Sequence, residues 1–105
     1  MTAPVRTGAS APRLRVVDPT SAVGRAVLRE YFTDVASRYH GRPATRDEVD
    51  AALRDDPSDD LAPPRGALVV AVAGTMVLGC AGLRMLLNGV AEVTRVTWLP
   101  RPGAS

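Results

Sequence analysis

The spacing of apolar residues predicts one long helix in the first half of the chain. Apolar side chains recur every four residues along a stripe formed by Val23, Val27, Tyr31, Val35 and Tyr39. This spacing is typical of one face of a helix, and the charged residues of the segment lie off it. Ser21 and its polar neighbours can cap the start of the helix. Gly41, with Pro43 just beyond, marks its end.

A short strand is predicted before this helix and a short helix after it. Residues 14–17 are largely apolar and are closed by Asp18-Pro19, which is typical of a strand that ends at a helix start. Thr45 and Glu48 have the spacing of a capping box, so a second helix should begin at Thr45 and end before Pro57. Residues 1–13 show no periodicity and are predicted to be a mobile leader.

The second half of the chain is predicted to form three strands. Residues 66–83 carry no charge, and this run is just long enough to span a membrane as a helix. A small membrane protein is therefore one alternative. The run is rich in Ala and Gly, which insert poorly, and residues 73–75 are a turn signal. We therefore predict a hairpin of strands 67–73 and 76–86, then a type I′ turn at Asn88-Gly89 and a strand over residues 90–99.

The composition limits the function classes. The 105 residues are 46% hydrophobic and 23% charged, as expected for one soluble globular domain. The net charge is +2, and no arginine cluster is interleaved with aromatic residues, so we expect no nucleic-acid partner. The start of the chain lacks the apolar segment of a secretion signal, so a cytoplasmic location is expected.

No metal site and no disulfide bond are predicted. Cys80 is the only cysteine, which excludes an internal disulfide and a cysteine-based zinc site. Because Cys80 lies in an apolar run, we expect it to act as a small hydrophobic residue. Residues 55–64 include four aspartates, but their spacing does not match a calcium-binding loop. A solvated loop is the prediction there.

Two sequence runs resemble a known family. The order strand, helix, helix and three-stranded meander is similar to the first half of the GNAT N-acetyltransferase fold. Residues 79–84 (GCAGLR), the Asn-Gly turn and residues 91–98 (AEVTRVTW) resemble the third and fourth strands of that family. The resemblance implies an α+β fold, β-α-α-β-β-β, with helices packed on a mixed or antiparallel sheet. It assigns residues 14–100 to a partial GNAT domain and residues 101–105 to a tail.

The resemblance also implies an activity, which is transfer of an acetyl group from acetyl-CoA to an amine on a small molecule or a peptide. Glu92 stands where several members of the family have a general base. A carboxylate can do this work once partial burial raises its pKa towards the working pH. The alternative is an ion pair of Glu92 with Arg84 or Arg95 across the sheet.

The binding residues follow from the same resemblance. The backbone of Val96, Thr97 and Trp98 would hold the pantetheine arm of acetyl-CoA as an added strand. Tyr31 and His40 would border the acceptor amine. The alternatives are a place for Tyr31 on the apolar stripe and a favourable position for a cationic His40 at the end of a helix.

The family pattern and this chain differ after the fourth strand. Members of the family continue into a glycine-rich loop and a helix whose amides bind pyrophosphate. Here residues 100–105 read PRPGAS. We therefore expect an incomplete acetyltransferase domain with weak or no activity. The alternative is a non-catalytic fragment or interaction module that pairs through the open edge of its fourth strand, including as a homodimer.

Overall fold

The computed structural model describes residues 12–98. The elements are β1 (Arg13–Val17), α1 (Ala22–His40), α2 (Arg46–Asp55), β2 (Gly66–Ala73), β3 (Met76–Met85) and β4 (Ala91–Trp98). Each strand pairs antiparallel with the next, in the spatial order β1-β2-β3-β4. The predicted α+β class and element order are confirmed. The strand β1 begins within the predicted leader, whose residues 1–11 lie outside the described residues, as does the predicted tail.

Side-chain caps fix where the two helices begin. The Ser21 hydroxyl accepts a hydrogen bond of 3.0 Å from the Gly24 amide at the start of α1. Gly41, with a φ of 69°, ends that helix in the left-handed region. At the start of α2, the Thr45 hydroxyl accepts from the Glu48 amide and the Glu48 carboxylate accepts from the Thr45 amide. The predicted capping box is therefore confirmed.

The buried face of α1 is not the apolar stripe that its sequence shows. The buried residues of α1 are Gly24, Val27, Leu28, Phe32 and Ala36. In contrast, Val23, Val35 and Tyr39 are exposed. A step of four residues turns by about 40° on a helix with 3.6 residues per turn, so the stripe rotates by about 160° from Val23 to Tyr39. Its two ends cannot pack on the same core.

The core lies between the helices and one face of the sheet. Its buried cluster consists of Val27, Leu28, Leu61, Leu68, Val70 and Cys80. Leu61 belongs to the acidic loop between α2 and β2, and it is fully buried. Ser58 of the same loop is also buried. The prediction of a solvated loop is therefore wrong at these two positions, because Leu61 packs in the core and Ser58 is buried close to it in the sequence.

The uncharged run of residues 66–83 forms the predicted hairpin of β2 and β3. Gly74 takes a φ of 61° in the turn between the two strands, a conformation that glycine adopts without steric cost. Among residues 12–98, no helix has the length and apolar character needed to cross a membrane.

The turn between β3 and β4 differs from the type I′ turn that Asn88-Gly89 predicts. A type I′ turn needs a positive φ at both central residues, but only Gly89 has one, at 80°. The Gly89 amide donates to the Leu86 carbonyl at 3.0 Å, and the Leu86 amide donates to the Val90 carbonyl at 2.8 Å. Residues 87–89 thus form a three-residue hairpin loop that ends in a left-handed glycine.

Candidate functional site

The strand β4 carries a bulge in the middle of its predicted site segment. Gly82 of β3 pairs with Thr94 of β4, and Cys80 pairs with Thr97. One residue of β3 and two residues of β4 lie between these pairs. Two residues of β4 therefore stand opposite one residue of β3, which defines a β-bulge. Within it, Arg95 has a φ of 55°. That left-handed conformation is unfavourable for a residue with a side chain, so other contacts must hold it.

The Arg95 side chain supplies those contacts. It is only 4% exposed, and its Nε donates to the Ser58 hydroxyl at 3.1 Å. Its Nη2 lies 3.1 Å from a carboxylate oxygen of Asp56. The guanidinium carbon is 5.1 Å from the centre of the Phe32 ring and 5.9 Å from that of Tyr31, within the range of cation–π attraction. Arg95 therefore ties the bulge to α1 and to the α2–β2 loop.

Cys80 supports the bulge from β3. Its thiol donates to the Arg95 carbonyl at 3.2 Å. Burial raises the pKa of the Cys80 thiol to about 11, so the group stays protonated at neutral pH and is a poor nucleophile. The prediction that Cys80 acts as a small buried residue is confirmed.

The three residues predicted to bind pantetheine lie at and beyond the bulge. Val96 and Trp98 line an apolar groove on the sheet face turned away from the helices, and Thr97 is buried. The Trp98 ring lies over Gly79, where an added Cβ would come within 3.2 Å of the ring. Among the described strands, β4 is at the edge of the sheet, so its outer backbone groups are available to another strand.

Glu92 lies opposite Arg84 near the start of β4. Its Oε1 accepts from Arg84 Nη1 at 3.2 Å, and its side chain is 45% exposed. Arg84 is also bonded to Asp60, at 2.7 Å from its Nε, and this hydrogen bond raises the pKa of the guanidinium. Of the two ion pairs left open by the sequence, the one with Arg84 is present. Arg95 pairs with Asp56 instead.

The two candidate acceptor residues do not form one cluster. Tyr31 is half-buried, and its ring lies near the guanidinium of Arg95 in the bulge. His40 ends α1, about 13 Å farther along the helix axis. Its Nε2 is 3.3 Å from a carboxylate oxygen of Glu48, so it joins α1 to α2. Tyr31 therefore stays a candidate for the site, whereas the contacts of His40 are structural.

Two of the four aspartates of the acidic loop are engaged in ion pairs. Asp56 pairs with Arg95 and Asp60 with Arg84. In the part of the chain that the structure describes, no three His, Cys, Asp or Glu residues are close enough to share a metal ion. The partners of these aspartates lie 24 and 39 residues away in the sequence, which is why local spacing did not reveal the pairs.

These features define an α+β domain with an antiparallel four-stranded meander, two helices on one face and a bulged edge strand. No protein-family model matches the chain, and no curated protein or solved structure matches it significantly. A family assignment therefore depends on the sequence runs in β3 and β4 and on the order of the elements.

Proposed function

We propose that the chain is the N-terminal part of a GNAT-type N-acetyltransferase domain, with acetyl-CoA as co-substrate and an amine as acceptor. The observation that carries this proposal is the bulge at Arg95 on an open strand edge. A bulge turns backbone groups away from the neighbouring strand. The pantetheine arm has amide groups of its own and can add to such an edge through main-chain hydrogen bonds, as an extended peptide does.

The proposed reaction is direct transfer. The amine nitrogen attacks the thioester carbonyl, the C–S bond breaks, and the sulfur leaves as a thiolate that takes up a proton. Glu92 accepts the proton that the amine loses, directly or through a water molecule. Its side chain is 45% exposed, so an amine or a water molecule can reach the carboxylate beside its bond to Arg84. Tyr31, beside the bulge, borders the acceptor.

The binding step can be tested with the fluorescence of Trp98, the only tryptophan of the chain. Pantetheine that adds along β4 would change the surroundings of this ring, so acetyl-CoA and pantetheine alone should each change the emission in a saturable way. Adenosine 3′,5′-bisphosphate, which lacks the arm, is the matched control and should change nothing. No saturable response to acetyl-CoA up to about 1 mM would contradict the proposal.

The catalytic step can be tested by substitution at Glu92. Loss of a general base typically lowers the rate by about 100-fold or more, so Glu92→Gln should reduce CoA release from acetyl-CoA and primary amines by that factor. Asp59→Asn makes the same charge change at an exposed position of the α2–β2 loop and should have no effect. Equal rates for Glu92→Gln and the unchanged chain, both measurable above the uncatalysed background, would exclude Glu92 as the base.

The open edge of β4 also supports a second function, that of a non-catalytic interaction module. A strand from another chain, including a second copy, could pair with the same backbone groups. This module would bind its partner without any response to acetyl-CoA. If acetyl-CoA binds and prevents such pairing, the edge belongs to the enzyme function.

A further inference from the structure

One whole face of the sheet is apolar and uncovered in the described chain. Large side chains of the two outer strands are exposed on it, namely Leu14, Val16, Val93, Val96 and Trp98. The charged side chains of the strands lie on the opposite face. There Arg84 binds the α2–β2 loop and Arg95 lies over Phe32. The uncovered face therefore presents no charge to an occupant.

The shape of this face is a trough between two ridges. Small side chains of the central strands, such as Ala71 and Ala81, form the floor of a groove of about 320 Å³. Leu14 of β1 forms one ridge, and Val96 and Trp98 of β4 form the other. The two ridges are three strand spacings apart, or about 14 Å. Val69 and Leu83 of the same central strands also line the groove.

Few large apolar side chains of the given sequence lie outside residues 12–98. Residues 1–11 contain two large apolar side chains, Met1 and Val5, and residues 99–105 contain one, Leu99. A second copy of the chain presents the same uncharged face. If two copies met across a twofold axis, the β4 ridge of each one would lie in the trough of the other.

We propose that two copies of the chain pair through this face as a symmetric β-sandwich, with the sheets about 10 Å apart. Four strands about 4.8 Å apart and about 25 Å long cover roughly 500 Å². Two such faces bury about 1,000 Å² in total, the size at which an interface becomes specific. A face of this size is comparable to the largest apolar patch of a typical monomer, and such patches are often functional. The proposal does not depend on the acetyltransferase activity.

The oligomeric state tests this proposal. Sedimentation equilibrium of the full chain should show a dimer. Ala81→Arg places an unpaired charge in the trough, and Val93→Glu places one on the β4 ridge. Each should weaken dimerisation by about 100-fold or more, because the charge would be buried without a partner. Leu87→Arg, in the fully exposed β3–β4 loop, is the matched control and should leave the dimer intact.

Two results would overturn the proposal. One is a chain that stays monomeric at about 100 μM, well above the micromolar dissociation constants of weak specific interfaces. The other is a dimer that survives both Ala81→Arg and Val93→Glu, which would indicate pairing through a strand edge. Circular dichroism of each variant shows whether its fold is retained. Because Val93 is 63% exposed, its substitution should not unfold the monomer even if that at Ala81 does.

Discussion

Arg95 combines a buried cation with an unfavourable backbone conformation. Its φ of 55° costs about 1 kcal/mol or more for any residue with a Cβ, whereas glycine adopts it freely. Arg95→Ala and Arg95→Gly both lose the contacts to Ser58, Asp56 and Phe32, which should cost about 2 kcal/mol. Arg95→Gly also relieves the strain, so we expect it to be about 1 kcal/mol more stable than Arg95→Ala in urea unfolding.

Thr94 provides the comparison for this pair of variants. Its φ lies outside the left-handed region. At such a position in a strand, the glycine variant is normally less stable than the alanine variant. Thr94→Gly should be less stable than Thr94→Ala by about 0.5–1 kcal/mol. The same order at both positions would show that the bulge stores no strain at Arg95.

Glu48 should make the stability of the helix pair depend on pH. Its hydrogen bond to Arg42, followed by that to the Thr45 amide, lowers the pKa of Glu48 from 4.5 to about 2. A carboxyl group whose pKa falls on folding stabilises the protein above its unfolded pKa, and this stabilisation is lost as the pH falls through the folded pKa. Glu48→Gln should therefore lower the urea midpoint at neutral pH. The deficit should shrink between pH 4.5 and about 2.

Asp47→Asn is the control for this pH dependence. It makes the same charge change in the same turn of α2 but leaves the bond between Arg42 and Glu48 in place. Its effect on the urea midpoint at neutral pH should be smaller than that of Glu48→Gln, because that bond is retained. A deficit of Glu48→Gln that is constant from neutral pH to pH 2 would refute the assignment.

At the scale of elements, the loop between α2 and β2 acts as part of the core. Leu61 is fully buried among the side chains of α1, β2 and β3. Replacing a buried leucine by alanine typically costs about 2–5 kcal/mol, and we expect Leu61→Ala to fall in this range. Leu87→Ala, in the exposed β3–β4 loop, should change the free energy of unfolding by less than about 0.5 kcal/mol. Thermal or urea unfolding measures both. Equal effects would mean that the loop is not packed.

The elements could be predicted from the sequence because their signals are local. The capping box at Thr45, the glycine at the end of α1 and the turn at Gly74 act over a few residues, and each lies where predicted. The bulge could not be predicted in this way. The side chain that accompanies the positive φ of Arg95 is held by Ser58 and Asp56, which lie far away in the sequence. The burial of Leu61 likewise depends on tertiary contacts.

Only the part of the candidate site that lies within one strand could be placed from the sequence. Glu92, Val96 and Trp98 lie on one strand, so their common position follows from the sequence runs of β3 and β4. The separation of Tyr31 from His40 follows from helix geometry, since nine residues span about 13 Å. The partners of Glu92 did not follow from spacing alone. The spacing left both Arg84 and Arg95 as partners of Glu92 across the sheet. In the structure Arg95 forms its ion pair with Asp56.

For the whole molecule, the two faces and two edges of the sheet differ in what they can bind. The helices and the α2–β2 loop cover one face, and all the strand ion pairs lie there. The other face is free of charge and fits a second sheet. Of the two outer strands in the described part, β1 is regular, whereas β4 carries the bulge. A dimer through the face and a ligand on the β4 edge can therefore occur together.

Hydrogen exchange can separate these surfaces in one experiment. The amides of β2 and β3 have partners on both sides, so they should exchange most slowly. Outward amides of β1 and β4 should exchange fastest, because no strand in residues 12–98 pairs with them. Acetyl-CoA should slow exchange in β4 near Val96 and leave β1 unchanged, so β1 serves as an internal control. Dimerisation through the face leaves both edges open, and Ala81→Arg should not change the exchange of either. Slower exchange of β1 and β4 alike on addition of acetyl-CoA would indicate general stabilisation and would contradict binding at the β4 edge.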